Sequence, residues 1–252
     1  DRGAMFWGVL FPALFIFGLS FLETSLALLI KGGPPSAKSV NLAMAAVQGF
    51  NWANAFPIQL FVLLGVGAMF AGDYRWETWR LQTPRNSRVN LVLSKILAYA
   101  VLALAALLLL ALASCLAALV RGLLLNQPFV PFGEGVTPLL VLRGIAAGWL
   151  ELMEVGAMGA LVAIATRSNM AGLLVPVFAT AAQYFGLLFN QIHPGVAMPD
   201  IILLCPNLAA QVLRGDGGAP YVGWALLGLI GWTLVFAVGA IALFNRQELT
   251  RE

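Results

Sequence analysis

Apolar residues in this chain run in unbroken blocks, and that arrangement limits its fold more than any other feature. The stretch AYAVLALAALLLLALAS, Ala98 to Ser114, has no charged side chain and does not alternate. A helix needs about 20 such residues to cross roughly 30 Å of hydrocarbon. Blocks of about that length cover residues 5–30, 56–72, 91–120, 139–165, 171–189 and 221–244. Barrel strands would instead alternate apolar and polar positions over about 10 residues. In lipid a lone segment must satisfy its own backbone, which only a helix does. Composition agrees: of 252 residues, 61% are hydrophobic and 10% charged, against about 25% charged in soluble domains. The expectation is an all-α polytopic membrane protein, one transmembrane domain over residues 1–252 with six spans.

Charge placement predicts the orientation. With six spans both termini share a side, which holds Arg2, Arg75, Arg80, Arg85, Arg88, Lys95, Arg167, Arg246 and Arg251. The other side holds Lys31, Lys38, Arg121, Arg143 and Arg214. Nine cations against five put the termini in the cytoplasm by the positive-inside rule. The net charge of +3 is thus a topology signal, and no nucleic-acid binding is read from it. The opening on Asp1 leaves room for cytoplasmic residues before it, and the first block is too long for a cleaved signal peptide. Cys115 and Cys205 suggest neither a disulfide framework nor a metal site. His193 has no partner at metal spacing and reads as a loop residue.

The richest loop is GDYRWETWRLQTPRNSRVNLVLSK, Gly72 to Lys95. Trp76 and Trp79 are three apart and share a helical face, and indoles favour the headgroup zone. Arg75 and Arg80 can reach lipid phosphates or a protein partner, and Pro84 stops the helix. Physically this is a positive-inside loop with aromatic anchors, or a short interfacial helix that docks on something.

Asp73, Thr78, Pro84, Arg88 and Lys95 also fall in the order found in type-2 ABC export permeases. Tyr74-Arg75-Trp76-Glu77-Thr78-Trp79 resembles the Tyr-Arg-Trp-Gly-Thr-Trp string of one branch of that family. Glu77 replaces the usual glycine, and the segment between Thr78 and Arg88 is about one residue shorter. Ala165 to Asn169 looks like the family's turn between spans four and five, and Phe244 to Leu249 like its exit from span six. Residues 191–218 are broken by Pro194, Pro199 and Pro206, where the family has short re-entrant outer helices. The resemblance implies a permease subunit without an ATP site of its own. It would work with a second permease subunit, identical or related, in a prokaryotic inner membrane. Partner ABC ATPase subunits would bind ATP and Mg, and Asp73, Arg75, Trp76, Glu77, Thr78, Trp79 and Arg80 would form the coupling helix that contacts them. Gly32 to Ser39 imitates a phosphate-binding loop, but Ala37 replaces a glycine and two prolines remove N–H donors. It is rejected as a nucleotide site.

Charges at membrane depth are expensive and usually face protein or water. Glu151 and Glu154 are three apart and share a face of the fourth block. Arg143 lies eight residues before Glu151, about 12 Å along a helix, too far to pair. With Tyr184 and Phe185 the two carboxylates are candidates to line a substrate path or take up a proton. The competing readings are bonds to a neighbouring helix for the carboxylates and lipid contact for the aromatics. Glu23 reads as an interfacial residue. Gly144, Gly148, Gly156 and Gly159 have the spacing of close helix packing. Cargo classes compatible with the reading are hydrophobic drugs, small peptides, lipids or cations. The rival is an ATP-independent secondary transporter using Glu151 and Glu154 as ligands. Its expected sign, paired inverted repeats, has no counterpart in the first half.

Overall fold

The computed structural model describes residues 2–31, 39–75, 87–133, 135–192, 197–215 and 219–247. The first block forms α1 (Arg2–Met5), a π-helical turn (Phe6–Leu10) and α2 (Phe11–Lys31). Then come strand β1 (Val40–Asn41), α3 (Leu42–Asn51), a 3-10 turn (Trp52–Asn54), α4 (Phe56–Phe70) and α5 (Gly72–Arg75). The long α6 (Arg88–Leu124), strand β2 (Phe129–Val130), α7 (Pro138–Thr166) and α8 (Asn169–Ile192) follow. Two short helices, α9 (Met198–Leu204) and α10 (Pro206–Arg214), precede a 3-10 turn (Ala219–Tyr221) and α11 (Val222–Arg246).

Among the described residues four helical segments are long and apolar enough to cross a membrane: Phe6–Leu26, α6, α7 and α11. A fifth arises if α3 with its 3-10 turn and α4, which meet at 65°, are taken as one broken span. The block 56–72 is therefore only half of its element. The chain bends at Ala55, which is extended (φ −73°, ψ 128°). Pro57 then opens α4, where a missing N–H leaves no helical bond unmade. The block 171–189 lies in α8, a 24-residue helix carrying Pro176 in its interior.

Helix starts follow local chemistry. Asn41, Ser87 and Thr137 accept bonds from the N–H groups of Met44, Asn90 and Leu140 at 3.1, 3.3 and 3.2 Å, as N-caps do. α7 ends at Arg167 in the left-handed region (φ 54°). The strands pair in parallel, Val40 opposite Phe129 and Asn41 opposite Val130, joining the chain before α3 to the chain after α6.

α7 is the central element. Two thirds of its most apolar window is buried (67%), against 17% for the windows in Phe6–Leu26 and α11. It packs on α3, α4, α6, α8, α10 and α11. Outer faces stay apolar and bare, as with Leu104, Leu108 and Leu112 on α6 and Leu234, Val235 and Val238 on α11. Apolar stripes of this size suit lipid rather than water.

Small residues set the helix spacing. A Cβ at Gly156 would run into the Tyr99 ring, and one at Gly159 would lie 2.7 Å from Leu63 and 3.0 Å from the Gly172 carbonyl. A Cβ at Gly144 would lie 3.2 Å from the Phe50 ring, and one at Gly148 would lie 2.8 Å from Leu107 and 3.0 Å from the Phe50 carbonyl. The glycine pattern of α7 is packing. Gly49 is the tightest backbone contact: a Cβ there would collide with the Ala111 Cα and lie 2.9 Å from the Leu110 carbonyl. Gly49→Ala should therefore push α3 from α6 and destabilise the fold by about 1–3 kcal/mol, the usual effect of overpacking. Thermal unfolding in detergent measures it, and an unchanged midpoint would mean the helices part freely.

Candidate functional site

The midpoint of α7 carries the two carboxylates expected from sequence, and both are buried. Glu151 is 0% and Glu154 2% exposed. One helical turn separates them. Glu151 Oε2 accepts a short charge-assisted bond from Arg214 Nη2. Arg214 closes α10 and is itself buried. A cation suits that helix C-terminus, and Gly215 with φ 125° lets the chain turn away directly afterwards.

By its sequence position Arg214 is an outer-loop cation. The structure instead places it inside the protein against Glu151. Arg143 on the same helix is too far to pair with Glu151, and the partner is on a neighbouring helix, 63 residues on, as the competing reading of the carboxylates has it. The available signal was the position of Arg214 at the end of a short amphipathic helix, between Leu213 and Gly215. Arg143 makes no ion pair among the described residues.

Other polar groups surround the pair. Asn207 is seven residues before Arg214, so the two share a face of α10, and both are buried. The Asn207 N–H donates to Gln183 Oε1 on α8 at 3.3 Å. Tyr184 donates its hydroxyl to Asn54 Oδ1 at 2.6 Å and lies near enough for the charges of Glu151 and Arg214 to act on it. From α6, Tyr99 donates to the Leu152 carbonyl at 2.6 Å, between the two glutamates. Trp149 donates to the Ala100 carbonyl at 2.9 Å. Phe185 is 72% exposed and takes no part in the cluster, a placement that fits lipid contact.

Among the described residues, the buried atoms Glu151 Oε1, Glu154 Oε1, Arg214 Nε and Asn207 Nδ2 find no hydrogen-bond partner. Buried polar groups are normally satisfied, and leaving one unmade costs about 1–3 kcal/mol. A polar cluster of this kind can hold water, a proton or a polar ligand. The two glutamates nevertheless differ in role. Glu151 is held in a charge pair; Glu154 makes no hydrogen bond or ion pair among the described residues.

Glu154→Gln removes a buried carboxyl that supports no ion pair. Stability in detergent should stay within about 1 kcal/mol of wild type, as for a near-isosteric change. Thermal unfolding in detergent measures it, and a large loss of stability would mean that the carboxyl supports the fold.

A second polar assembly binds together the ends of the helices at the opposite pole from β1 and β2. Tyr74 on α5 donates to Gln247 Oε1 at 2.6 Å, and Gln247 Nε2 donates to the Ile164 carbonyl near the end of α7 at 2.8 Å. Arg88 Nη1 donates to the carbonyls of Gln247 and Asn245 at 2.6 and 3.2 Å. Lys95 Nζ donates to the Met69 carbonyl at 2.5 Å, and the Arg167 guanidinium lies 5.9 Å from the Tyr74 ring centre. The ends of α4, α6, α7 and α11 are thereby joined to α5. Of the candidate ATPase-contact residues, Asp73 and Arg75 belong to α5, and Trp76, Glu77, Thr78, Trp79 and Arg80 lie outside the described residues. The sequence reading placed Tyr74 and Gln247 in two separate segments, and only the fold brings the two side chains together.

No protein-family model and no curated protein matches the chain.

Proposed function

We propose that this chain is the permease subunit of an ATP-binding-cassette exporter in the inner membrane of a prokaryote, with both termini cytoplasmic. Its six crossings are the segment through α1 and α2, the bent pair α3–α4, then α6, α7, α8 and α11. α9 and α10 are the re-entrant pair on the outer side. A second permease subunit completes the pathway, and two ABC ATPase subunits supply ATP hydrolysis with Mg. The residues from Asp73 to Arg80 form the coupling helix.

The observation that carries this reading is the junction at Tyr74. The segment Asp73 to Arg80 begins on a helix hydrogen-bonded, through Gln247, to the ends of α7 and α11. A displacement applied there is passed directly to α7, which carries Glu151 of the Glu151–Arg214 pair. A lipid-anchoring loop would need no such connection. The deciding experiment is purification of the chain from its native membrane, with identification of co-purifying subunits and their ATP turnover. An ABC ATPase in stoichiometric amount is expected. Its absence would refute the exporter reading.

A second reading draws on Glu154. A buried carboxyl without an ionic partner can carry a proton, which favours a proton-coupled secondary transporter. Uptake or export driven by a proton gradient in vesicles lacking ATP would establish that alternative.

A further inference from the structure

A second polar cavity lies at the β1–β2 end of the bundle, away from the glutamate cluster, enclosing about 370 Å³ between α2, α3 and α6. Its walls carry two opposite charges. Glu23, with Thr24 and Trp52, lines it from α2 and the turn after α3, and Arg121, with Ser114 and Gln48, from α6 and α3. Among the described residues neither Glu23 nor Arg121 forms an ion pair, and both are exposed. Ser114 is 9% exposed, and its Oγ has no hydrogen-bond partner.

The wall formed by α6 is a regular stripe. Ser114, Ala117, Ala118 and Arg121 recur at helical spacing, so hydroxyl and guanidinium share one face with small residues between them. On either side the same helices turn bare apolar side chains outward: Leu19, Leu22 and Leu26 on α2, Leu112, Leu116 and Leu123 on α6. The cavity is thus a polar notch set into an apolar surface. Asn41 is already committed to capping α3.

The geometry points to a binding site for a zwitterionic ammonium–phosphate group, of the kind carried by phosphatidylethanolamine. The phosphate is held by Arg121, with the Ser114 hydroxyl as a second donor, since a guanidinium and a hydroxyl both donate to phosphate oxygens. The ammonium is held by the Glu23 carboxylate, with the aromatic Trp52 in the same wall as a further group that can attract a cation. The flanking leucines accommodate acyl chains. An anionic headgroup satisfies Arg121 but meets Glu23 with like charge, so the site discriminates by repulsion as well as attraction. This inference requires a membrane setting but no ATPase, and its test is independent of the exporter reading.

The test uses the full chain in a maltoside detergent, with lipid retention read by native mass spectrometry. Phosphatidylethanolamine and phosphatidylglycerol of identical acyl chains are titrated in parallel, and soluble phosphoethanolamine is titrated calorimetrically. Phosphatidylethanolamine should be retained roughly tenfold better than phosphatidylglycerol, about the effect of one charge-assisted contact. Glu23→Gln and Arg121→Gln should each lower that retention by a similar factor. Both side chains are exposed, and neither forms an ion pair among the described residues, so thermal midpoints should not move. Binding of phosphoethanolamine that both variants abolish would also support the site and would name a soluble zwitterion as its source. Equal retention of the two lipids without phosphoethanolamine binding, or variants that bind like wild type, would overturn it.

Discussion

Arg214→Gln should be among the most destabilising single substitutions in this protein. It leaves the Glu151 carboxylate in a fully buried site with its cation gone. Breaking a buried ion pair on one side costs about 3–5 kcal/mol, most of it the penalty of the stranded charge. Glu151→Gln strands the guanidinium instead and should be similarly harmful. The double variant Glu151→Gln, Arg214→Gln strands neither and should recover much of the loss. Thermal unfolding of the four proteins in one detergent forms a complete cycle, whose interaction energy isolates the pair. Additive losses would mean that the two side chains do not support each other. A role that leaves the fold intact is therefore open to Glu154 alone of the two glutamates. Glu151 also ties α10 to α7, and changes there act on the fold.

The second large effect is expected at Trp76 and Trp79. If Asp73 to Arg80 docks in an ATPase groove, the two indoles are the buried anchors, and aromatics with arginine dominate most binding energies. Removing one well-buried anchor commonly costs at least 2 kcal/mol, about thirtyfold in affinity. On that reading, Trp76→Ala with Trp79→Ala should abolish co-purification of an ATPase while leaving the chain folded. Gln247→Ala makes a useful companion, because it cuts the bonds from Tyr74 and to Ile164 without touching the docking face. It should preserve ATPase binding and impair coupling. Undiminished association in the tryptophan double variant would return the loop to the role of a membrane anchor.

Which segments are apolar helices was decided by the sequence alone. Transfer into hydrocarbon is close to additive along a chain, so runs such as Ala98 to Ser114 declare themselves without reference to anything distant. The helices α6, α7 and α11 extend only a few residues beyond their apolar blocks. The proline-broken stretch before α11 holds two short helices for a similar reason, since proline is readily accepted in a first turn. The glutamate pair on α7 was equally readable, as spacing within one helix is a local property.

Tertiary structure alone decided what each of those residues meets. Leu42 to Asn51 is too short to register as a span, and it becomes half of a bent pair because the backbone is extended at Ala55. Arg214 scores like any loop cation until α10 is laid against α7. The pair then forms because a buried guanidinium and a buried carboxylate are each tolerable only with the other present. Gln247 is an ordinary polar residue at a helix end, and only the convergence of α5, α6, α7 and α11 turns it into their common partner. Such pairings are long-range and cooperative, so neither residue's local sequence carries them.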